Sequence, residues 1–148
     1  MLKYTLLHPR LNEILARAGH HATILIADGN YPASSKKGPN AEIVSFNLMP
    51  GVITCDQALQ AVLSAVPVEA VRTMKSETTG PYALPGDPPV WDQYRMSLQE
   101  AGVTVPLTPV DKWEFYDAVT TLDHVLTIQT ADQQRYANIL LTIGVRME

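Results

Sequence analysis

The strongest structural signal in the chain is one apolar run, Thr23-Ile24-Leu25-Ile26-Ala27, which stops at Asp28-Gly29-Asn30. A short, nearly continuous apolar run that is rich in β-branched residues suits a strand covered on both faces better than a half-exposed strand. Strands of this kind occur in parallel sheets, whose crossover connections place helices on both faces. We therefore expect this run to be a central strand of an α/β fold.

The segments on either side of this run predict a helix and a long loop. From about Pro9 to Ala18, apolar residues recur at helical spacing, with Pro9 suited to the first turn and Gly19 to the position just past the end. The stretch from Asp28 to Asn40 is rich in glycine, proline and serine, which predicts a long ordered loop or lid. Long loops beside a buried strand often carry function.

Further along the chain, apolar runs that suit strands alternate with segments of helical periodicity. A capping box at Thr54-Cys55-Asp56-Gln57 predicts one helix start, a second helical pattern begins at Val90, and Asp111 can cap a third. This alternation predicts a single domain over residues 1–148, an α/β three-layer sandwich with a largely parallel sheet and helices on both faces. The further predicted strands are Glu42 to Phe46 at a sheet edge, Val68 to Met74, Thr104 to Leu107, Val125 to Ile128, and Asn138 to Val145.

The composition limits the classes of partner and compartment. Eleven Lys and Arg residues against fifteen Asp and Glu residues give a formal net charge of −4, so we expect no nucleic-acid partner. Residues 1–21 mix charged and apolar side chains, which suits neither a secretory signal nor a membrane span, so we expect a cytoplasmic location and no membrane partner. The single cysteine, Cys55, cannot form an intrachain disulfide.

Two residues beside the apolar run have side chains suited to chemistry. Asp28 lies at the predicted carboxyl end of the strand, where ligand sites form in α/β folds, so it is placed to hold a ligand hydroxyl. An Asx-turn with the following backbone explains Asp28 equally well. His20 precedes the strand and could transfer protons near neutral pH, although a loop histidine is more often only solvated.

Another pair of candidates stands at the start of the last predicted strand. Tyr136 and Asn138 flank Ala137, and an extended backbone there would aim both side chains at one face. A phenol and an amide both donate and accept hydrogen bonds, which suits a polyol. A tyrosine packed at a sheet edge beside a turn asparagine is the alternative.

The helix after Asp111 offers aromatic and cationic candidates. Trp113, with Phe115 and Tyr116, could supply an apolar platform for a sugar ring, although helical aromatics more often belong to the core. Lys112 could reach a ligand oxygen, or it could be a solvated charge at the helix start.

We expect no metal site. His20-His21 with Asp28 nearby has suitable ligand types, but adjacent histidines tend to point apart, and no third histidine or acidic pair lies at helical ligand spacing. The sequence also lacks a Gly-rich phosphate loop and a Gly-x-Ser-x-Gly elbow, so no motif indicates nucleotide binding or covalent catalysis.

Several short motifs follow one another along the chain. They are Gly19-His20, the string from Asp28 to Ser35, Trp91-Asp92-Gln93-Tyr94-Arg95, Phe115-Tyr116, and Tyr136-Ala137-Asn138 with Gly144-Val145. In this order the motifs resemble the ribose pyranase and fucose mutarotase family, and the match runs over essentially the whole chain. The Asp28 string and the Phe-Tyr pair are more similar to the fucose mutarotase branch than to the ribose branch.

The resemblance implies an isomerase that interconverts anomers or ring forms of a free sugar. It also implies that the enzyme works without a cofactor, in ring-shaped homo-oligomers that are commonly decamers. The family's catalytic histidine falls on His20, and its ligand-holding aspartate falls on Asp28. Its sugar-binding Tyr-x-Asn motif falls on Tyr136, Ala137 and Asn138.

At one family position this chain departs from the pattern. Arginine stands there in the fucose branch and histidine in the ribose branch, whereas the position falls on Lys112 in this sequence. Lysine keeps the positive charge but lacks the planar fork that grips two oxygens at once. We expect L-fucose or a related sugar as the substrate, with a D-ribose pyranase and a non-catalytic sugar-binding protein as the alternatives.

The separation of His20 from Asp28 predicts where such a site would lie. If the chain between them were extended, eight steps of about 3.3 Å would separate the two residues by roughly 26 Å, several times the width of a monosaccharide. We therefore expect each site to lie at a subunit interface. His20 would come from a neighbour of the chain that supplies Asp28, Tyr136 and Asn138.

Overall fold

The computed structural model describes residues 1–147, and within them the chain forms four α-helices and six strands. None of these helices combines the length and the apolar character that a membrane-spanning helix needs. The helices are α1 (Pro9–Arg17), α2 (Cys55–Leu63), α3 (Val90–Glu100) and α4 (Lys112–Val119). The strands are β1 (Thr23–Ala27), β2 (Glu42–Ser45), β3 (Val68–Met74), β4 (Leu107–Val110), β5 (His124–Gln129) and β6 (Ile139–Ile143).

The strands form one mixed sheet in the order β2-β5-β1-β6-β3-β4. At one end of the sheet β2, β5 and β1 are parallel, and at the other end β3 and β4 are parallel. Strand β6 lies between β1 and β3 and is antiparallel to both. The sheet is therefore largely parallel, as the sequence predicts, and β6 joins its two parallel parts.

Strand β1 is covered on both faces, as its apolar sequence predicts. All five of its residues are buried. Ile24 and Ile26 belong to a core that contains residues of α1, α2 and α3, whereas Leu25 and Ala27 belong to a second core with α4. Because side chains alternate across a strand, these two cores lie on opposite faces of the sheet. The expected three-layer architecture is confirmed, with three helices on one face and a single helix on the other.

The loop of residues 28–40 completes the face that has only one helix. Tyr31 and Ala33 of this loop are buried in the second core. The Tyr31 hydroxyl donates a hydrogen bond to the carbonyl of Lys36 at 2.8 Å, which ties the loop to itself. The backbone N–H of Gly38 donates to Nδ1 of the buried His124 at 2.9 Å, which ties the loop to β5. The long ordered loop is therefore a structural cover of the sheet.

The helices begin where the sequence predicts, and one capping contact differs from the prediction. The Thr54 hydroxyl accepts a hydrogen bond from the Gln57 N–H, and the Gln57 side chain accepts one from the Thr54 N–H, which completes the predicted capping box. Asp111 holds the N-cap position of α4, but its carboxylate contacts Lys75 Nζ at 3.3 Å instead of the helix backbone.

Strand β4 begins later in the sequence than its apolar residues predict. The apolar residues predicted a strand from Thr104 to Leu107, whereas β4 begins at Leu107 and ends at Val110. Pairing with β3, in which Val110 lies opposite Met74, sets these bounds. Strand β4 also contains Pro109, which is tolerated because β4 lies at the edge of the sheet.

Candidate functional site

A cavity of about 450 Å³ opens at the carboxyl edge of the parallel strands. Asp28 follows β1, Met74 ends β3, and Asn138 precedes β6, and all three line the cavity. Because β6 runs against its neighbours, its first residues reach the same edge as the last residues of β1 and β3. Cavities of this size hold small molecules, and this edge is where α/β sheets bind them. Further lining residues are Glu77, Tyr82, Lys112, Tyr116, Arg135 and Tyr136.

Asp28 and Asn138 form a reciprocal hydrogen-bonded pair at the base of the cavity. The Asn138 Nδ2 group donates to Asp28 Oδ2 at 3.0 Å, and Asn138 Oδ1 accepts from the Asp28 backbone N–H at 2.9 Å. Asp28 Oδ1 accepts from the backbone N–H of Asn30 at 2.9 Å, so Asp28 also makes the Asx-turn that the sequence offered as the alternative. The two interpretations of Asp28 are compatible, because one carboxylate makes the turn and also lines the cavity.

Burial gives the Asp28 carboxyl an unusual affinity for protons. Burial raises the pKa of Asp28 to about 6, and the hydrogen bond from the Asn30 N–H opposes that shift. Between the ordinary pKa of 3.8 and this value, the folded protein binds more protons at Asp28 than the unfolded chain does. The contribution of Asp28 to stability is therefore fully present below about pH 4 and declines as the pH rises through about 6.

This shift predicts how the free energy of unfolding changes with pH. Between pH 4 and pH 7 the wild-type chain should lose about 2 kcal/mol relative to the Asp28→Asn variant, because asparagine does not titrate. Urea unfolding of both proteins at several pH values and one protein concentration measures this difference. Stability curves that stay parallel across this range would contradict the raised pKa.

Tyr136 and Asn138 reach the cavity by a route that differs from the one predicted. Tyr136 has φ +60, so the backbone there is left-handed and not extended. Both side chains nevertheless line the cavity, and the Tyr136 hydroxyl donates to the carbonyl of Tyr82 at 3.0 Å. Ala137 between them is buried, and its carbonyl accepts a hydrogen bond from the buried Tyr94 hydroxyl. Ala137 thus anchors the turn that presents its two neighbours.

Lys112 brings a positive charge to the same cavity. Its Nζ lies 3.2 Å from Glu77 Oε1, and the hydrogen bond to Glu77 raises the pKa of Lys112. Lys112 therefore stays protonated at neutral pH. Glu77 was not among the predicted site residues, although it follows β3 much as Asp28 follows β1. The rule that ligand sites form at the carboxyl ends of parallel strands, which predicted Asp28, also applies to Glu77.

The three aromatic candidates of α4 take three different positions. Phe115 is fully buried in the second core, and Trp113 is 67% exposed. Tyr116 lines the cavity, so it alone of the three is placed to offer a ring surface to a ligand there. Arg135, another cavity residue, was also missed, because it lies in an irregular segment without a periodic pattern.

His20 is separated from the other candidate residues within one chain. It precedes β1, whereas Asp28 follows that strand, and it lies outside the lining of the cavity. Its Nε2 is 2.8 Å from Glu69 Oε2, and Nδ1 of His21 is 3.1 Å from the other oxygen of that carboxylate. The structure thus brings Asp28, Lys112, Tyr136 and Asn138 together without His20.

The expectation that the adjacent histidines point apart was wrong. The rings of His20 and His21 are stacked, with their centroids 3.7 Å apart. His21 has φ +71, a left-handed conformation that brings its side chain round to the side of His20. Glu69 of β3, which is remote in sequence, completes the cluster.

The sequence matches the RbsD / FucU transport protein family over residues 1–146. The chain belongs to this family. This RbsD / FucU family member is 34% identical to the fucose mutarotase of Homo sapiens, in an alignment that covers 95% of this chain and 90% of the human protein. The resemblance predicted from the short motifs is therefore confirmed.

Two solved structures resemble this RbsD / FucU member over nearly their whole length. The fucose mutarotase of Streptococcus pneumoniae, solved in complex with L-fucose, has a TM-score of 0.74 and 23% identity, covering 99% of this chain and 100% of the other. The RbsD of Bacillus subtilis, complexed with D-ribose, has a TM-score of 0.74 and 22% identity, with coverage of 99% and 100%. These likenesses show that the fold is shared.

Proposed function

We propose that this protein is an isomerase that interconverts the anomers of a free monosaccharide, with L-fucose or a related sugar as substrate. The observation that carries the proposal is the cavity at the carboxyl edge, where Asp28, Asn138, Tyr136 and Lys112 converge in a member of this family. Its human relative is named fucose mutarotase, which supports the same substrate class for this chain.

The reaction requires a proton to move in both directions. Opening a cyclic hemiacetal adds a proton to the ring oxygen while the anomeric hydroxyl loses one, and closure on the other face reverses both transfers. An imidazole can both accept and donate a proton, so one imidazole can serve each step, and we assign this role to His20. These proton transfers need no cofactor.

Glu69 prepares His20 for that role. A carboxylate only accepts hydrogen bonds, so the contact between Glu69 and Nε2 favours the tautomer that carries its proton on Nε2. Nδ1 of His20 is then the nitrogen with a free lone pair, and it is the atom that would accept the proton of the sugar.

The cavity residues would hold the sugar during these transfers. The Asp28 carboxylate and the Asn138 amide can accept hydrogen bonds from hydroxyl groups, and the Tyr136 hydroxyl can donate or accept. The ammonium group of Lys112 would stabilise negative charge that develops on an oxygen. Lysine acts as a point charge and not as a planar fork. Its interaction with the sugar therefore depends less on the angle between two hydroxyls than that of an arginine would.

We place the complete site at a subunit interface, with His20 supplied by a neighbouring protomer. The position of His20 before β1, away from the cavity that follows β1, supports this arrangement. It requires a homo-oligomer, and the family resemblance favours a decamer, which light scattering can test. We also propose a cytoplasmic location, which suits a protein whose single cysteine is buried and free.

The function is tested by NMR exchange spectroscopy on equilibrated L-fucose, D-ribose, D-galactose and D-glucose. This method detects interconversion of ring forms without any net reaction. Exchange peaks between the two anomers that appear with protein, strongest for L-fucose, would support the proposal. Exchange between pyranose and furanose forms of ribose would instead favour a pyranase, the alternative that the likeness to a ribose-bound structure suggests. Binding without faster exchange would indicate a sugar-binding protein.

A further inference from the structure

His20, His21 and Glu69 form a cluster of three side chains of the types that bind metal ions. Its three ligand atoms, two imidazole nitrogens and a carboxylate oxygen, lie within 4.8 Å of one another. The three side chains are exposed in the single protomer. The proton transfer assigned to His20 gives no role to His21.

The backbone around the cluster holds these side chains in place. The N–H of His21 donates to the carbonyl of Ile143 at 3.0 Å, which ties the turn before β1 to the end of β6. Glu69 lies within β3 and packs closely against Gly144, where an added Cβ would lie 3.3 Å from the Glu69 Cβ. Glu69 is therefore carried by the sheet, and the two histidines are carried by a turn that is hydrogen-bonded to it.

The distances within the cluster are in the range from which small side-chain movements could bring the groups around one divalent ion. Zn²⁺ binds imidazole nitrogen and carboxylate oxygen at about 2.0–2.2 Å, so two such ligands in a tetrahedral arrangement are about 3.3 Å apart. His20 Nε2 lies 2.8 Å from Glu69 Oε2, and His21 Nδ1 lies 3.1 Å from the other oxygen, Oε1, so both separations are somewhat shorter than that value. Two imidazoles and one carboxylate also match the ligand types of zinc sites that keep an open position.

We propose that His20, His21 and Glu69 form a binding site for a borderline divalent transition-metal ion such as Zn²⁺, and that the ion inhibits the enzyme. Nε2 of His20, Nδ1 of His21 and the Glu69 carboxylate would be the ligands. The inhibition rests on the proposed function of His20, whereas the metal site itself does not.

Inhibition follows from the chemistry of the imidazole ring. A neutral imidazole carries one proton and one lone pair. An ion on Nε2 of His20 uses the lone pair of that nitrogen, so the proton must reside on Nδ1. The nitrogen that would accept the proton of the sugar then has no lone pair, and Glu69 is no longer free to select the active tautomer.

Metal binding is tested first, without any sugar. ZnCl₂ is titrated into the full-length protein after EDTA treatment, and the imidazole NMR signals of the four histidines are followed together with calorimetry. The signals of His20 and His21 should shift, while those of His8 and His124 serve as internal controls. Signals of His20 and His21 that do not respond to Zn²⁺ would overturn the site.

Two ligand variants and one matched control locate the ion. His21→Asn and Glu69→Gln should each weaken Zn²⁺ binding by about tenfold or more. Asparagine suits position 21 because it tolerates the left-handed backbone that His21 adopts. Glu100→Gln, an exposed carboxylate at the end of α3, should bind Zn²⁺ like the wild type. Unchanged affinity in both ligand variants would show that the ion binds elsewhere and overturn the site.

Anomer exchange in the presence of ZnCl₂ tests the inhibition. Wild-type exchange should fall by about 10²-fold or more at saturating Zn²⁺, the scale of a lost proton-transfer group. His21→Asn should retain exchange within about twofold and resist the same Zn²⁺ concentration. Equal inhibition of both proteins would overturn the proposal. If the wild type shows no exchange at all, the proposed function fails, and the NMR titration alone still decides whether the metal site exists.

Discussion

The His20→Ala variant is expected to exchange sugar anomers about 10²–10⁴-fold more slowly than the wild type. The expectation follows because this variant loses the group that moves the proton, while Asp28, Asn138, Tyr136 and Lys112 remain to hold the sugar. NMR exchange spectroscopy measures the rate, and calorimetry with the same sugar measures binding. Binding should change much less than the exchange rate, because the cavity after β1 is intact.

A matched variant of the neighbouring histidine makes this expectation specific to His20. His21→Asn removes the neighbouring imidazole and should keep the exchange rate within about twofold, which separates a particular role of His20 from a general effect on the turn. Exchange at the wild-type rate in His20→Ala would show that another group transfers the proton and would exclude the mechanism proposed for this site.

Mixed oligomers extend the same experiment to the interface. His20→Ala and Asp28→Ala protomers are each expected to be inactive in isolation. After subunit exchange, some interfaces combine the intact Asp28 of one protomer with the intact His20 of another, so activity should return. If subunit exchange is confirmed by mass-tagged protomers and the mixture stays inactive, the two residues do not share a site across protomers.

The Gly38→Ala variant should be about 3 kcal/mol less stable than the wild type, at the upper end of the usual cost of overpacking. A Cβ at this position would lie 2.1 Å from the carbonyl oxygen of Thr121 and 2.9 Å from the Cβ of His124. Neither atom is the end of a flexible side chain, so the loop of residues 28–40 would have to move away from β5. That movement would also break the hydrogen bond from Gly38 to His124.

Urea unfolding of this variant is best compared with Gly86→Ala. A Cβ at Gly86 would meet no atom within 4 Å, and alanine reduces the freedom of the unfolded chain. That control should therefore unfold at the same urea concentration as the wild type or slightly above it. Equal stability of the two alanine variants would show that the loop is not held closely against the sheet.

Much of the fold is predictable because its signals are local. The apolar run of β1 and the capping box at Thr54 each specify an element within a few residues. The bounds of β4 are not local, because pairing with β3 decides them, and an apolar run such as Thr104 to Leu107 carries no record of its partner. The sequence also does not show that β6 is antiparallel to its neighbours, since an apolar strand has the same pattern in either direction.

The site residues that directly follow or precede a strand could be predicted from the sequence. Asp28 follows a strand whose identity was clear, and Asn138 precedes another, so the general rule for α/β sheets applies to both. The left-handed backbone of Tyr136 depends on tertiary contacts, so the extended interpretation of that segment was wrong. The contact of His20 with Glu69 crosses 49 positions of sequence, a distance over which no spacing rule operates.

The position of β6 between β1 and β3 has a consequence for the order of assembly. Residues 139–143 supply the hydrogen bonds that join the β2-β5-β1 part of the sheet to the β3-β4 part. During synthesis on the ribosome, both parts emerge before the strand that links them. The sheet therefore cannot close until these late residues have left the exit tunnel, and a nascent chain halted before residue 139 would expose the unpaired inner edges of two incomplete sheets.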